Sequence, residues 1–313
     1  MHSMRKMLKK HYNIDAENIL PKQGGWASLA YQVYDYKACY FLKVYEKNRA
    51  STPKLTALID QYVPVMEWLI HHSNLKGKIP VPHLTRGGDY KCEDEYGIYL
   101  LYDYIKGETI GNRDLTDDQV FQLSNIVTEL HVYGEDIPME TDDLRDHFDV
   151  PFLQSLKQTL NKERDALPND IRVLIHPYMK QIHDLVITVD KLSVRLKNSD
   201  LRRALCHTDL HYWNLMQSGQ QLMLIDWEGL RLAPVEADLM FLVYKPYYSE
   251  FLRIYRRTHK HFSPNPMALR FYQGKRKLED VWELIEQLLL DQQEEQERRV
   301  TKGLLKEALR DTS

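Results

Sequence analysis

Asp209, Asn214 and Asp226 are of the types, and at the spacing, that can move a phosphoryl group. Asp209 opens the run Asp209-Leu210-His211-Tyr212-Trp213-Asn214, and Asp226 follows the apolar run Leu222-Met223-Leu224-Ile225. Phosphoryl transfer asks little covalent chemistry of a protein. It needs a carboxylate to orient the acceptor hydroxyl and oxygen donors to hold magnesium on the phosphates. Asp209 suits the first task, and Asn214 with Asp226 suits the second. A single Asp or Asn in a loop is usually a turn or a cap. An Asp-x-x-x-x-Asn loop with a strand-borne Asp downstream is far more specific.

A rival chemistry lies in the same letters. His207-x-Asp209-x-His211 places three ligand types at alternate positions, which share one side of a strand. A zinc hydrolase would need further ligands and an open position, and no second ligand motif accompanies these three. His207 reads instead as a buried hydrogen-bonding prop for the loop.

The elements that must position these residues follow from local pattern. Ser218-Gly219 is a turn signal between two short strands, so the stretch is loop, strand, tight turn and strand. Near the N-terminus, a basic helix over 4–11 precedes strand-like residues that lead out of Gly24-Gly25. Glycine at such a bend lets backbone N–H groups approach a phosphate. The next strand, 38–45, carries Lys43 inside Phe41-Leu42-Lys43-Val44, where an ammonium needs an anionic partner to offset its desolvation. A helix over 54–72 offers Asp60, Gln61 and Glu67 as candidate partners, and Pro64 predicts a kink within it. A strand over 96–105 runs into Lys106-Gly107. Thr116-Asp117-Asp118-Gln119 is a capping box, and Val120, Leu123, Val127 and Leu130 give the helix it opens an apolar face ending at His131. Helices are predicted over 152–166 and 171–196, and the chain is largely helical beyond Asp238.

His207-Thr208-Asp209, with Asn214 and Asp226-Trp227-Glu228-Gly229, resembles the aminoglycoside phosphotransferase and choline kinase family of kinase-like proteins, which carries His-x-Asp in its catalytic loop. The segment 269–283 is similar to the corresponding helix of spectinomycin-type phosphotransferases. The resemblance implies an α+β, two-lobed protein-kinase-like fold, with a nucleotide-binding lobe over 1–105 and a catalytic, acceptor-binding lobe over 106–313. It implies ATP and Mg2+ as cofactors. Lys43, Gly24 and Gly25 would meet the phosphates, and hinge residues Asp103, Tyr104 and Ile105 the adenine. Asp209 would be catalytic, Asn214 and Asp226 would hold the metal, and Asp238 would steady the loop.

The acceptor implied is a small molecule with a hydroxyl group, cationic, and of the aminoglycoside or aminocyclitol class. Choline, homoserine, amino-sugar or methylthioribose-like acceptors are the alternatives, and a nucleotide-binding pseudokinase is a different class again. Carboxylates for a cationic acceptor are available in the loop from Glu140 to Asp149 and at Glu279, Asp280, Glu283 and Glu286. Trp227, Tyr272 and Trp282 are aromatic candidates for caging a single quaternary charge.

Composition sets the remaining bounds. The chain has 313 residues, enough for two lobes, and a net charge of −3, which gives no general attraction to nucleic acid or anionic membrane. Cys39, Cys92 and Cys206 lie far apart, as expected of a reduced cytoplasmic protein rather than a disulfide framework. The basic start lacks the apolar core of a signal peptide. No apolar run approaches the about 18 residues of a membrane helix.

Overall fold

The computed structural model describes residues 2–22, 28–161 and 167–312. Gly24 and Gly25 lie outside the described residues. The chain divides into two compact units. The first comprises 1–48, 52–145 and 203–262, and the second 49–51, 146–202 and 263–313. The boundary expected at 105/106 falls inside the first unit, just past the strand Gly97–Asp103.

The first unit holds a five-stranded antiparallel sheet. Its strands run in the order Asn18–Lys22, Leu29–Tyr34, Cys39–Glu46, Gly97–Asp103, Cys92–Glu93. Side chains alternate along a strand, and this decides where Lys43 points. Leu42 and Val44 join one apolar cluster with Met7 and Leu8 of helix His2–Tyr12. Tyr45, on the opposite face with Lys43, joins a second cluster with Ile59, Tyr62 and Met66 of helix Ile59–His72. The helical pattern expected over 54–72 is broken, but not at Pro64. Two helices form, Thr52–Thr56 and Ile59–His72, separated at Ala57-Leu58. Pro64 lies in the second turn of the latter, where Gln61 and Tyr62 N–H groups have already returned to the Leu58 carbonyl.

The same unit carries the stretch from Asp209 to Asp226. Helix Asp117–Leu130 begins with the expected capping box, with Thr116 and Gln119 satisfying each other's backbone donors. The hairpin of Leu215–Ser218 and Gln221–Leu224 turns at Gly219, whose φ of +55° favours glycine. The hairpin is extended by the short strand Glu108–Thr109. A separate pair, Ala204–Cys206 with Arg231–Ala233, is buried and leads directly into His207.

The second unit is helical: Phe152–Asn161, Asn169–Ile175, Met179–Lys197, Pro266–Leu290 and Glu295–Asp311. The single helix expected over 171–196 is interrupted by a 3-10 turn at His176–Tyr178, where Pro177 removes a backbone donor. Gly274 lets Pro266–Leu290 lie close to Met179–Lys197: a Cβ there would sit 2.7 Å from Val189. Among the described residues, no helix is long and apolar enough to cross a membrane.

Candidate active site

The candidate catalytic loop starts as a buried strand end and is forced into an unusual backbone. Thr208 has φ +67°, a left-handed conformation that a β-branched residue seldom adopts and that costs about 1–3 kcal/mol. Asp238, wholly buried, holds it there. One carboxylate oxygen accepts from the Thr208 N–H at 2.6 Å, and the other accepts from the His207 N–H at 3.0 Å. The second oxygen also accepts from His131 Nε2 at 2.9 Å, and His131 Nδ1 meets the Tyr255 hydroxyl. The Thr208 hydroxyl donates to the Gly229 carbonyl at 2.7 Å. The steadying role expected of Asp238 would act through these bonds.

His207 is the prop that the sequence suggested. It is fully buried, its Nε2 donates to the Ile225 carbonyl at 2.9 Å, and its Nδ1 accepts from the Asp209 N–H at 3.2 Å. Both ring nitrogens are therefore committed, so the His207–Asp209–His211 zinc set does not assemble. Among the described residues, the group of metal-ligating types that does converge is His131, Cys206 and Asp238. There the Asp238 oxygens already accept three N–H donors, which leaves poor room for an ion.

Asp209 and Asn214 meet directly. The Asn214 amide donates to an Asp209 carboxylate oxygen at 2.8 Å and to its carbonyl at 2.9 Å, and His211 Nε2 lies 3.2 Å from the same carboxylate oxygen. With its N–H groups turned to Asp209, Asn214 has its amide oxygen to offer a cation. The hairpin register then delivers Asp226. Leu215 pairs with Leu224, and the Ile225 N–H donates to the Asn214 carbonyl at 2.9 Å, so Asp226 emerges beside Asn214. Asp226 too is left-handed, with φ +63°, and its side chain stays 44% exposed.

Lys43 reaches across from the sheet to this turn. Its ammonium lies 2.8 Å from Asp226 and pairs with Glu228, which also accepts from the Tyr45 hydroxyl. Burial by itself would depress the Lys43 pKa. Asp226 and Glu228 outweigh it and hold the ammonium well above its ordinary value. The helix carboxylates expected as partners are engaged elsewhere: Asp60 pairs with Lys91, and Glu67 accepts from the Tyr90 hydroxyl. Gln61 keeps a buried amide oxygen without a hydrogen-bond partner. Glu228 was missed, although it stands two residues after Asp226.

The hinge residues divide. The Tyr104 N–H donates to the Cys39 carbonyl at 3.1 Å and so closes the sheet, while the Asp103 side chain meets His83 Nε2 at 2.8 Å. Of the aromatic candidates, Trp227 is buried, with Nε1 bonded to the Leu224 carbonyl, and Tyr272 is buried, with its hydroxyl on Asp146. Neither is placed to cage a ligand. Trp213, between Asp209 and Asn214, is 55% exposed. Its ring edge lies over Gly111, where a Cβ would come within 3.2 Å of it.

The model of the phosphotransferase enzyme family matches residues 18–272. The chain belongs to that family. No curated protein matches it by sequence. Solved structures do match this phosphotransferase in fold. Spectinomycin phosphotransferase APH(9)-Ia, in complex with ADP and spectinomycin, superposes with a TM-score of 0.74 at 21% identity, covering 99% of this chain and 97% of that one. Choline kinase LicA from Streptococcus pneumoniae gives 0.65 at 16% identity, covering 99% and 98%. Amicoumacin kinase hAmiN, in complex with AMP-PNP and Ca2+, gives 0.58 at 14% identity, covering 99% and 93%. The kinase-like fold expected from the sequence is therefore the fold of the phosphotransferase.

Magnesium fits the donor set. Asn214 and Asp226 offer an amide oxygen and a carboxylate from adjoining strand ends, the hard oxygen ligands that this ion takes. Lys43 already places a positive charge on Asp226.

Proposed function

We propose that the protein is an ATP- and magnesium-dependent small-molecule O-phosphotransferase of the cytoplasm, whose acceptor is a cationic aminoglycoside or aminocyclitol. One observation carries the reading. A single hairpin sets Asn214 against Asp209 and delivers Asp226 to Lys43, so base, metal donors and phosphate-binding cation converge. In this reading Asp209 orients the acceptor hydroxyl and accepts its proton, which contributes about 10²–10⁴-fold. Asn214 and Asp226 hold magnesium, which neutralises charge on the transferring phosphate. Lys43 and the backbone at Gly24-Gly25 bind the phosphates, and the hinge at Asp103, Tyr104 and Ile105 binds the adenine. Complexes of spectinomycin phosphotransferase with ADP and of amicoumacin kinase with AMP-PNP and Ca2+ support nucleotide and metal use in this fold.

Choline-like acceptors are the second reading. Trp213 favours it, because an exposed indole in the same loop as Asp209 can stack on a quaternary ammonium or on a sugar face.

The test is a screen of aminoglycosides, aminocyclitols and amino alcohols with ATP and magnesium, read by product mass. A polycationic acceptor should show a Michaelis constant that rises with salt, while that of ATP changes little. An uncharged best substrate, or an acceptor indifferent to salt, refutes the acceptor class and leaves the kinase reading standing. Absence of magnesium-dependent ATP turnover with every acceptor points to a nucleotide-binding pseudokinase.

A further inference from the structure

The face of the sheet that carries Lys43 encloses one ammonium, one carboxylate and a set of phenols. Lys43 and Glu228 have side chains only 10% and 11% exposed, and Tyr45 and Tyr62 are 1% exposed. Breaking a buried pair of this kind is costly, because the remaining charge is left without compensation. Protein kinases hold the corresponding lysine with a glutamate from the adjacent helix. Here the helix Ile59–His72 contributes no such group: Asp60 and Glu67 serve Lys91 and Tyr90, and position 61 is a neutral glutamine. The helix packs instead on the turn Trp227–Gly229, and that turn supplies the carboxylate.

We infer that Glu228 positions Lys43 for the nucleotide phosphates in place of a helix carboxylate, and that the Tyr45 hydroxyl fixes Glu228 for this task. The inference rests on the phosphotransferase reading above. The two carboxylates on Lys43 have different surroundings. Asp226 is 44% exposed and emerges beside Asn214, as a metal donor should, whereas Glu228 is enclosed with the lysine. An ion taken up by Asp226 therefore competes for one partner of Lys43 and leaves the other. The tyrosines keep the enclosure neutral. Burial first, and Glu228 beside them, hold the Tyr45 and Tyr62 hydroxyls well above their ordinary pKa, so Tyr45 remains a donor to Glu228.

The experiment titrates ADP into wild type, Glu228→Gln, Tyr45→Phe, Lys43→Met and the double variant Lys43→Met/Glu228→Gln. Each is measured in EDTA and again with magnesium, after circular dichroism has confirmed folding. If Glu228 acts through Lys43, Glu228→Gln weakens ADP about tenfold even in EDTA, within the range of coupled neighbours. The double variant is then no weaker than Lys43→Met alone. Tyr45→Phe, which removes one hydroxyl and keeps every charge, weakens ADP by about threefold by the loss of one hydrogen bond, and that loss also disappears in the Lys43→Met background. If Glu228→Gln does not fold, Tyr45→Phe decides alone by the same criterion. Losses that multiply in the double variant, or that arise only with magnesium, overturn the inference and make Glu228 a metal ligand. Unchanged affinity in both single variants also overturns it. Wild-type protein that binds no ADP sinks the phosphotransferase reading, and the inference with it.

Discussion

Replacing Asp238 tests whether the strained catalytic loop is held by one carboxylate. Asp238→Asn keeps the volume but turns one acceptor into an NH2 group. That group must face either the Thr208 N–H at 2.6 Å or the His207 N–H and His131 Nε2 at 3.0 and 2.9 Å. At least one buried donor then loses its partner, at about 1–3 kcal/mol. Asp238→Ala orphans all three, which amounts to about 3 kcal/mol at the low end of the same range. Relaxation of Thr208 out of its left-handed conformation returns about 1 kcal/mol and carries Asp209 with it. Displacement of about 1 Å at a reacting group costs about 10²-fold in rate. Urea unfolding followed by circular dichroism should therefore rank wild type above Asp238→Asn above Asp238→Ala, and kcat should fall with little change in nucleotide affinity. An Asp238→Ala protein with the wild-type unfolding midpoint, slope and kcat would refute the assignment of the loop's geometry to this carboxylate.

Asp209→Asn should abolish transfer, by about 10²–10⁴-fold in rate, while ADP still binds; near-normal turnover would remove Asp209 from the mechanism. Asp226→Ala should weaken nucleotide binding much more with magnesium than without it, and equal losses in the two titrations would mean that Asp226 is not a metal ligand. The Lys43 pKa is raised in the folded protein, so its stabilising contribution is complete below the unfolded value of about 10.4 and is lost only as pH climbs through the folded value. The stability difference between wild type and Lys43→Met should thus be flat from pH 7 to about 10 and shrink only above that. A difference that shrinks near neutrality would contradict the paired lysine.

What the sequence made legible was local. Asp209 and Asn214 meet because their spacing closes one short loop, and Asp226 joins them because Gly219-Gln220 makes a two-residue turn between strands. The Thr116 capping box is likewise written within a few residues. Partner choice was not legible. Glu228 is 185 residues from Lys43, and nothing near Lys43 says whether its carboxylate comes from a helix or a turn. Trp227 looked available as a cage residue because apolar rings are read alike whether they face a ligand or the core. Only the hairpin packing buries Trp227 and leaves Trp213 at the surface. Pro177 was a visible breaker within the single helix expected over 171–196, and a 3-10 turn forms there.

The contact between Gly229 and the loop constrains how such a site can change over generations. A methyl group at position 229 would stand 2.5 Å from the Thr208 hydroxyl and 2.8 Å from the His207 carbonyl. Shortening Thr208 relieves the first collision, but the second is with backbone and no substitution at a neighbour removes it. Position 229 is therefore closed to every side chain as long as the strand before Asp209 stays in place. Change in this loop is easier at an exposed position such as Trp213, whose side chain can be exchanged without displacing the buried backbone beneath.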